Sequence, residues 1–208
     1  MADRKQERKK ILDAVTKHDI LEAAINIIIR DGITGLTMDK IAAEARVAKG
    51  TLYVHFQNKQ EVVDAAIESS IAPLLEELVD ILDSHLAPAE KLRKFTLSNL
   101  KFFNTHKELF RVTIYDQDHV ADDTKLYRSD RYWDIVRKVA CVLENGMKQG
   151  LFMNADPIKV AMMFIEANRA VFVKRLSMKD SEDIESDSNL IFDIFMHGIS
   201  ENVSANGE

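Results

Sequence analysis

The sequence predicts an all-α fold: a small N-terminal helix-turn-helix head of three helices joined to a larger helical body, about nine helices in all. Three observations predict it. Strong helix formers are abundant, while Gly and Pro number only 7 and 3 in 208 residues, so little interrupts a helix. Apolar residues recur at helical spacing in successive segments. The interruptions that exist, such as Asp31-Gly32, Pro88, Gly150 and Asp156-Pro157, fall where helices of ordinary length would start or stop.

Taken in order, Ile20 to Ile29 is densely apolar and ends at Asp31-Gly32, where Gly32 can adopt the left-handed conformation that closes a helix. Upstream lies a basic run, Arg4, Lys5, Arg8, Lys9 and Lys10, then Ile11, Leu12 and Val15; it either extends this helix or precedes it as a separate turn. Thr37 is a good N-cap for a short helix from Met38 to Ala45, and after a tight turn at Arg46-Val47 a second short helix runs from Ala48 to Phe56. Asn58 and Glu61 have capping-box spacing and open a fourth helix towards His85, which Pro73 should kink or end.

Pro88 stands in the first turn of a fifth helix, and Lys107 to about Tyr115 forms a sixth. After a polar loop, a long helix from about Thr124 to Gln149 is stopped by Gly150. Asp156-Pro157 caps and opens an eighth, running to about Leu176. The acidic, serine-rich stretch Lys179 to Ser188 reads as a loop before a ninth helix from Asn189 to Val203. The expected division is a head of residues 1–60 and a body of residues 61–208.

Charge supports that division. Residues 1–60 hold 11 Lys and Arg against 8 Asp and Glu, whereas residues 61–208 hold 17 against 26, so a basic head sits on an acidic body and a polyanion would meet the head alone. No apolar run reaches the roughly 18 residues a bilayer span needs, the first 20 residues are charged, and the single cysteine, Cys141, can form no intramolecular disulfide. A cytoplasmic protein with no membrane partner is expected, with Cys141 as a half-buried structural thiol.

The head carries the chemistry. A helix entering the major groove needs small residues near its start and donors for base edges and phosphates, and Lys49-Gly50-Thr51 supplies both. Tyr53 adds a phenol and His55 an imidazole one turn from Thr51, while Thr37, Arg46 and Lys59 are placed to meet phosphates. Leu52 and Phe56, four residues apart, form the face that packs back into the head.

The segment Ile20 to Val63, with Thr37-Met38-Asp39-Lys40-Ile41-Ala42, Val47-Ala48-Lys49-Gly50-Thr51-Leu52-Tyr53-Val54-His55-Phe56 and Asn58-Lys59, strongly resembles the DNA-binding domain of the TetR family. The resemblance implies a homodimer that binds double-stranded operator DNA through its heads and pairs its last two helices beside a ligand cavity. Two positions depart from the family pattern: Arg46 stands where Gly is usual in the turn, and Ala48 where Ser or Thr usually caps the recognition helix.

In the body, the helix from Pro157 is apolar nearly all round and should be buried on both sides, in the implied architecture one against the partner subunit and the other against the cavity, with Glu166 and Arg169 spaced to pair with each other. Phe103, Phe110, Tyr115, Trp133, Met147, Met163 and Asn168 are the candidate lining of a small-molecule effector site. Ile191, Ile194, Phe195 and Ile199 form a wide apolar stripe suited to a four-helix dimer interface. No His-Glu-x-x-His, glycine-rich phosphate loop or G-x-S-x-G elbow occurs, so neither catalysis, a cofactor nor a metal site is expected. The expected function is a repressor released from a near-palindromic operator by an apolar or amphipathic molecule. The alternative is a DNA-binding protein of the same kind without an inducer, controlled by a protein partner or acting architecturally.

Overall fold

The computed structural model describes residues 2–115, 130–177 and 183–198, and all regular structure among them is α-helical. The helices are α1 (Ala2–Gly35), α2 (Met38–Glu44), α3 (Lys49–His55), α4 (Lys59–Asp83), α5 (Pro88–Thr105), α6 (Lys107–Tyr115), α7 (Asp130–Lys148), α8 (Pro157–Ser177) and α9 (Ile184–His197). Two compact units emerge. The first comprises Met1–Pro73 with α6, the second Leu74–His106 with α7, α8 and α9. The boundary differs from a cut at residue 60, because the first half of α4 and all of α6 pack with the head.

In the first unit the basic run is helical and continuous with α1, which settles the choice left open by the sequence. Gly32 interrupts α1 at φ 76°, ψ 170°, as its place after Asp31 predicts. Carbonyls at that helix end accept from lysines of other helices: Lys59 Nζ donates to Ile33 O at 3.0 Å, beside the bond from Leu36 N, and Lys40 Nζ to Gly35 O at 2.9 Å. Ile20, Ile27 and Ile28 of α1, Ile41 of α2, Leu52 of α3 and Val62 of α4 are completely enclosed in one core. Each such side chain contributes on the order of 1.5–3 kcal/mol.

At the start of α4, Asn58 Oδ1 accepts from Glu61 N at 3.0 Å and the Glu61 carboxylate accepts from Gln57 N at 2.8 Å. The box therefore closes on the residue before the cap rather than on the cap itself. Helix α4 continues through Pro73, so the proline does not end it.

In the second unit Leu74, Leu78 and Leu82 give α4 an inward stripe at four-residue spacing. Phe95 of α5 and Phe164 of α8 stand at its centre with ring centroids 5.5 Å apart, and Phe195 of α9 meets Phe164 edge-on at 5.2 Å. Asp156 caps α8 by accepting from Ile158 N and Lys159 N at 3.0 and 3.2 Å. Gly146 of α7 has no room for a side chain, since a Cβ there would lie 2.1 Å from the Phe152 ring.

Helix α9 begins five residues earlier than expected, with Asp183 as its cap, and Gly198 ends it at φ 74°. The polar stretch before Asn189 is helical because tertiary interactions hold it. The buried Asp187 carboxylate accepts from Arg175 of α8, Glu185 pairs with Lys101 of α5, and Arg93 of α5 donates to Asn189 while lying over the Phe192 ring. Residues 199–203, the end expected for this helix, lie outside the described residues. Cys141 is exposed rather than half-buried, since it projects from the outer side of α7.

Candidate nucleic-acid interface

Helices α2 and α3 form a helix-turn-helix. Thr37 caps α2 by accepting from Lys40 N at 3.2 Å. After Ala45 the chain turns by a double hydrogen bond, Val47 N to Ala42 O at 3.0 Å and Arg46 N to Ala43 O at 3.3 Å. This is the Schellman closure, which puts its central residue in the left-handed region. Arg46 sits there at φ 56°, the sole non-glycine with positive φ among the described residues. The turn thus keeps the backbone a glycine would give it, and the arginine carries the strain. Ala48 offers α3 no side-chain cap.

On α3, Leu52 and Phe56 face the core as expected. The opposite side presents Lys49, Gly50, Tyr53 and Val54, with Thr51 and His55 half-buried beside them. A Cβ at Gly50 would meet nothing within 4 Å, and its φ is not positive, so the protein's own packing makes no demand for glycine there. Glycine costs up to about 1 kcal/mol in a helix relative to alanine, which makes Gly50 intelligible as clearance for an external surface. Val54, 81% exposed, was not singled out from the sequence. The signal was available: with Leu52 and Phe56 inward, residue 54 must point out, and an aliphatic group suits a thymine methyl.

The cations of the head are largely occupied. Lys49 Nζ pairs with Asp39, whose hydrogen bond and charge raise the lysine's pKa. Lys59 is held by Ile33 O. Arg30 bridges Asp31 and Glu44, and Lys40 also pairs with Asp31, so the Asp31 carboxyl is held below its ordinary value, first by Lys40 and then by Arg30. Arg46, exposed, has no ion pair.

The residues expected to line an effector site separate. Phe103, stacked on Phe172 at 4.3 Å, Trp133 and Met147 pack against the core of the second unit, and Asn168 is 1% exposed within it. Phe110 is buried on α6 in the first unit, and Met163 is 65% exposed on α8, off the buried stripe of Ala161, Phe164, Asn168 and Phe172. The side chain of Tyr115 and all of Ile199 lie outside the described residues. Of the remaining interface candidates, Ile191 is 3% exposed in the core of its own unit and Phe195 stands on Phe164, whereas Ile194 is exposed with its neighbour Leu190. Glu166 and Arg169 pair at 2.8 Å.

A helix-turn-helix head attached to a helical body defines a DNA-binding regulator. Two family models match: residues 20–66 correspond to the bacterial regulatory proteins of the tetR family, and residues 85–172 to a tetracyclin repressor-like C-terminal domain. The chain belongs to the TetR family of bacterial transcriptional regulators. It is 28% identical over 163 residues to the HTH-type transcriptional repressor SCO4008 of Streptomyces coelicolor, covering 77% of this chain and 81% of that one. Two solved structures share the fold. FadR of Bacillus subtilis, in complex with stearoyl-CoA, matches with a TM-score of 0.74 and 18% identity over 88% of this chain and 99% of that one. AibR, in complex with isovaleryl coenzyme A and operator DNA, matches with a TM-score of 0.65 and 21% identity over 87% and 98%.

Proposed function

We propose that this regulator is a homodimeric repressor that grips a near-palindromic operator and lets go when an amphipathic molecule, an acyl chain with a polar head, enters the body. The observation that carries the ligand is a pair of enclosed polar atoms. Thr96 on α5 is 0% exposed and Asn168 on α8 is 1% exposed, yet Thr96 Oγ1 and Asn168 Oδ1 have no hydrogen-bond partner. The amide nitrogen of Asn168 donates to Phe164 O at 2.8 Å, which leaves its oxygen as an acceptor. Leaving such a group unpaired costs about 1–3 kcal/mol, a cost a ligand N–H or O–H would remove. Buried phenylalanines neighbour them along the helices, Phe95 next to Thr96 on α5 and Phe164 and Phe172 one turn either side of Asn168 on α8. An acyl thioester with amide groups in its head combines both chemistries, and FadR and AibR were solved with such molecules.

The dimer face of this reading is the exposed apolar surface of Leu190 and Ile194 on α9 with Ile158 and Met163 on α8. The test is a melting series with acyl-CoAs of increasing chain length, followed by displacement of bound operator. A ligand at 100 times its Kd stabilises by about 2.7 kcal/mol, a readily measured shift. Asn168→Leu should abolish that shift without lowering the melting temperature of the free protein. If no acyl-CoA moves either the melt or the DNA affinity, the effector class is wrong.

A further inference from the structure

Unpaired positive charge in the first unit is concentrated away from the helix-turn-helix. Within residues 20–60 there are five Lys and Arg, and four of them, Arg30, Lys40, Lys49 and Lys59, are engaged by carboxylates or backbone carbonyls of the head itself. Residues 4–10, by contrast, hold five Lys and Arg against one Glu. Arg4, Lys5, Arg8 and Lys10 are all exposed there and make no ion pair. They lie on the first turns of α1, a helix continuous into the head core.

We infer that this N-terminal stretch of α1 is a second DNA-binding element, an arm that meets the phosphates of duplex flanking the base pairs read by α3. The inference rests on the DNA-binding role of the head and adds where the sequence-independent part of the affinity comes from. Placement supports it: Lys17 Nζ lies 5.8 Å from the centroid of the Phe56 ring, so α1 passes the C-terminal end of α3. At 1.5 Å per residue the cations of residues 4–10 then stand roughly 10–20 Å further along, a span that reaches neighbouring phosphates rather than the same groove floor.

A membrane surface is the competing partner for a basic helix that exposes Ile11, Leu12 and Val15. Interfacial helices set their cations on the face opposite the apolar one. Here Arg4 and Arg8 share a face with Ile11 and Val15, at helical spacing, so charge and apolar surface are divided along the axis instead of around it.

The experiment replaces Arg4, Lys5, Arg8 and Lys10 together by Gln, which keeps helix propensity, and uses Lys94→Gln on the body as a control. Binding to 16- and 40-base-pair random duplexes is followed by anisotropy between 50 and 200 mM salt, with far-UV spectra and melts confirming that both proteins fold. The expected result is that the slope of log affinity against log salt falls by about 0.9 for each phosphate the fourfold variant no longer neutralises, and that the wild type's gain from the longer duplex disappears. Equal slopes for wild type and the fourfold variant overturn the arm, as does a variant that loses binding to phosphatidylserine vesicles while its DNA binding is unchanged. A wild type that binds no duplex at all would overturn the DNA-binding role of the head as well, a result distinct from equal slopes.

Discussion

Replacing Arg46 by Gly tests the turn of the helix-turn-helix directly. Arg46 closes α2 at φ 56°, held there by the hydrogen bonds of Val47 to Ala42 O and Arg46 to Ala43 O. A side chain in that region costs about 1–2 kcal/mol, and glycine does not bear that cost. Glycine also loosens the unfolded chain, which offsets about 0.4–1 kcal/mol of the gain. The net expectation is a head stabilised by about 0.5–1 kcal/mol, a rise in Tm of roughly 1–4 °C for a chain of this length. Urea unfolding at fixed protein concentration should show a higher midpoint and an unchanged slope. The same substitution removes an unpaired cation next to α3, so operator affinity should fall as stability rises. If Arg46→Gly leaves the midpoint unchanged or lowers it, the strain assigned to this residue is absent, and the reasoning fails.

Gly50→Ala has space for its methyl and should leave the melt unchanged or slightly raised, while weakening operator binding about tenfold or more; a melt and a binding titration on one preparation separate the effects. Gly146→Ala must displace the Phe152 ring and should destabilise the body by about 1–3 kcal/mol, measured as a lower urea midpoint. Ile194→Asp should yield a folded monomer in sedimentation, whereas Ile191→Asp, buried in its own protomer, should fail to fold, and equal behaviour of the two would argue against α9 as the dimer face.

What was legible in the sequence was what local chemistry decides. Thr37, Gly32, the Asn58–Glu61 box and Asp156-Pro157 mark helix ends because caps and left-handed glycines act on backbone groups a few residues away. The inward pair Leu52 and Phe56 follows from spacing alone. Less legible was anything decided at long range. Nothing local to Lys59 says that its ammonium also donates to the end of α1, twenty-six residues back in sequence. The stripe on α9 contains more apolar residues than one face can bury, so pattern could not say that Ile191 and Phe195 turn inward while Leu190 and Ile194 stay out. Thr96 left a faint signal, a polar residue on the inward stripe of Leu92 and Leu100.

The Arg175–Asp187 pair constrains how this body can drift over evolutionary time. Its side chains are 11% and 8% exposed, and they tie the end of α8 to the first turns of α9. Removing Arg175 strands the Asp187 carboxylate in the interior at about 3–5 kcal/mol, a large part of a domain's margin, whereas exchanging both residues for apolar ones is close to neutral. A single step that removes Arg175 therefore leads into a deep fitness valley although the double change does not. Descendants of this protein that keep Asp187 should keep Arg175, and a library that varies the two positions simultaneously should recover functional sequences that loss of Arg175 alone never reaches.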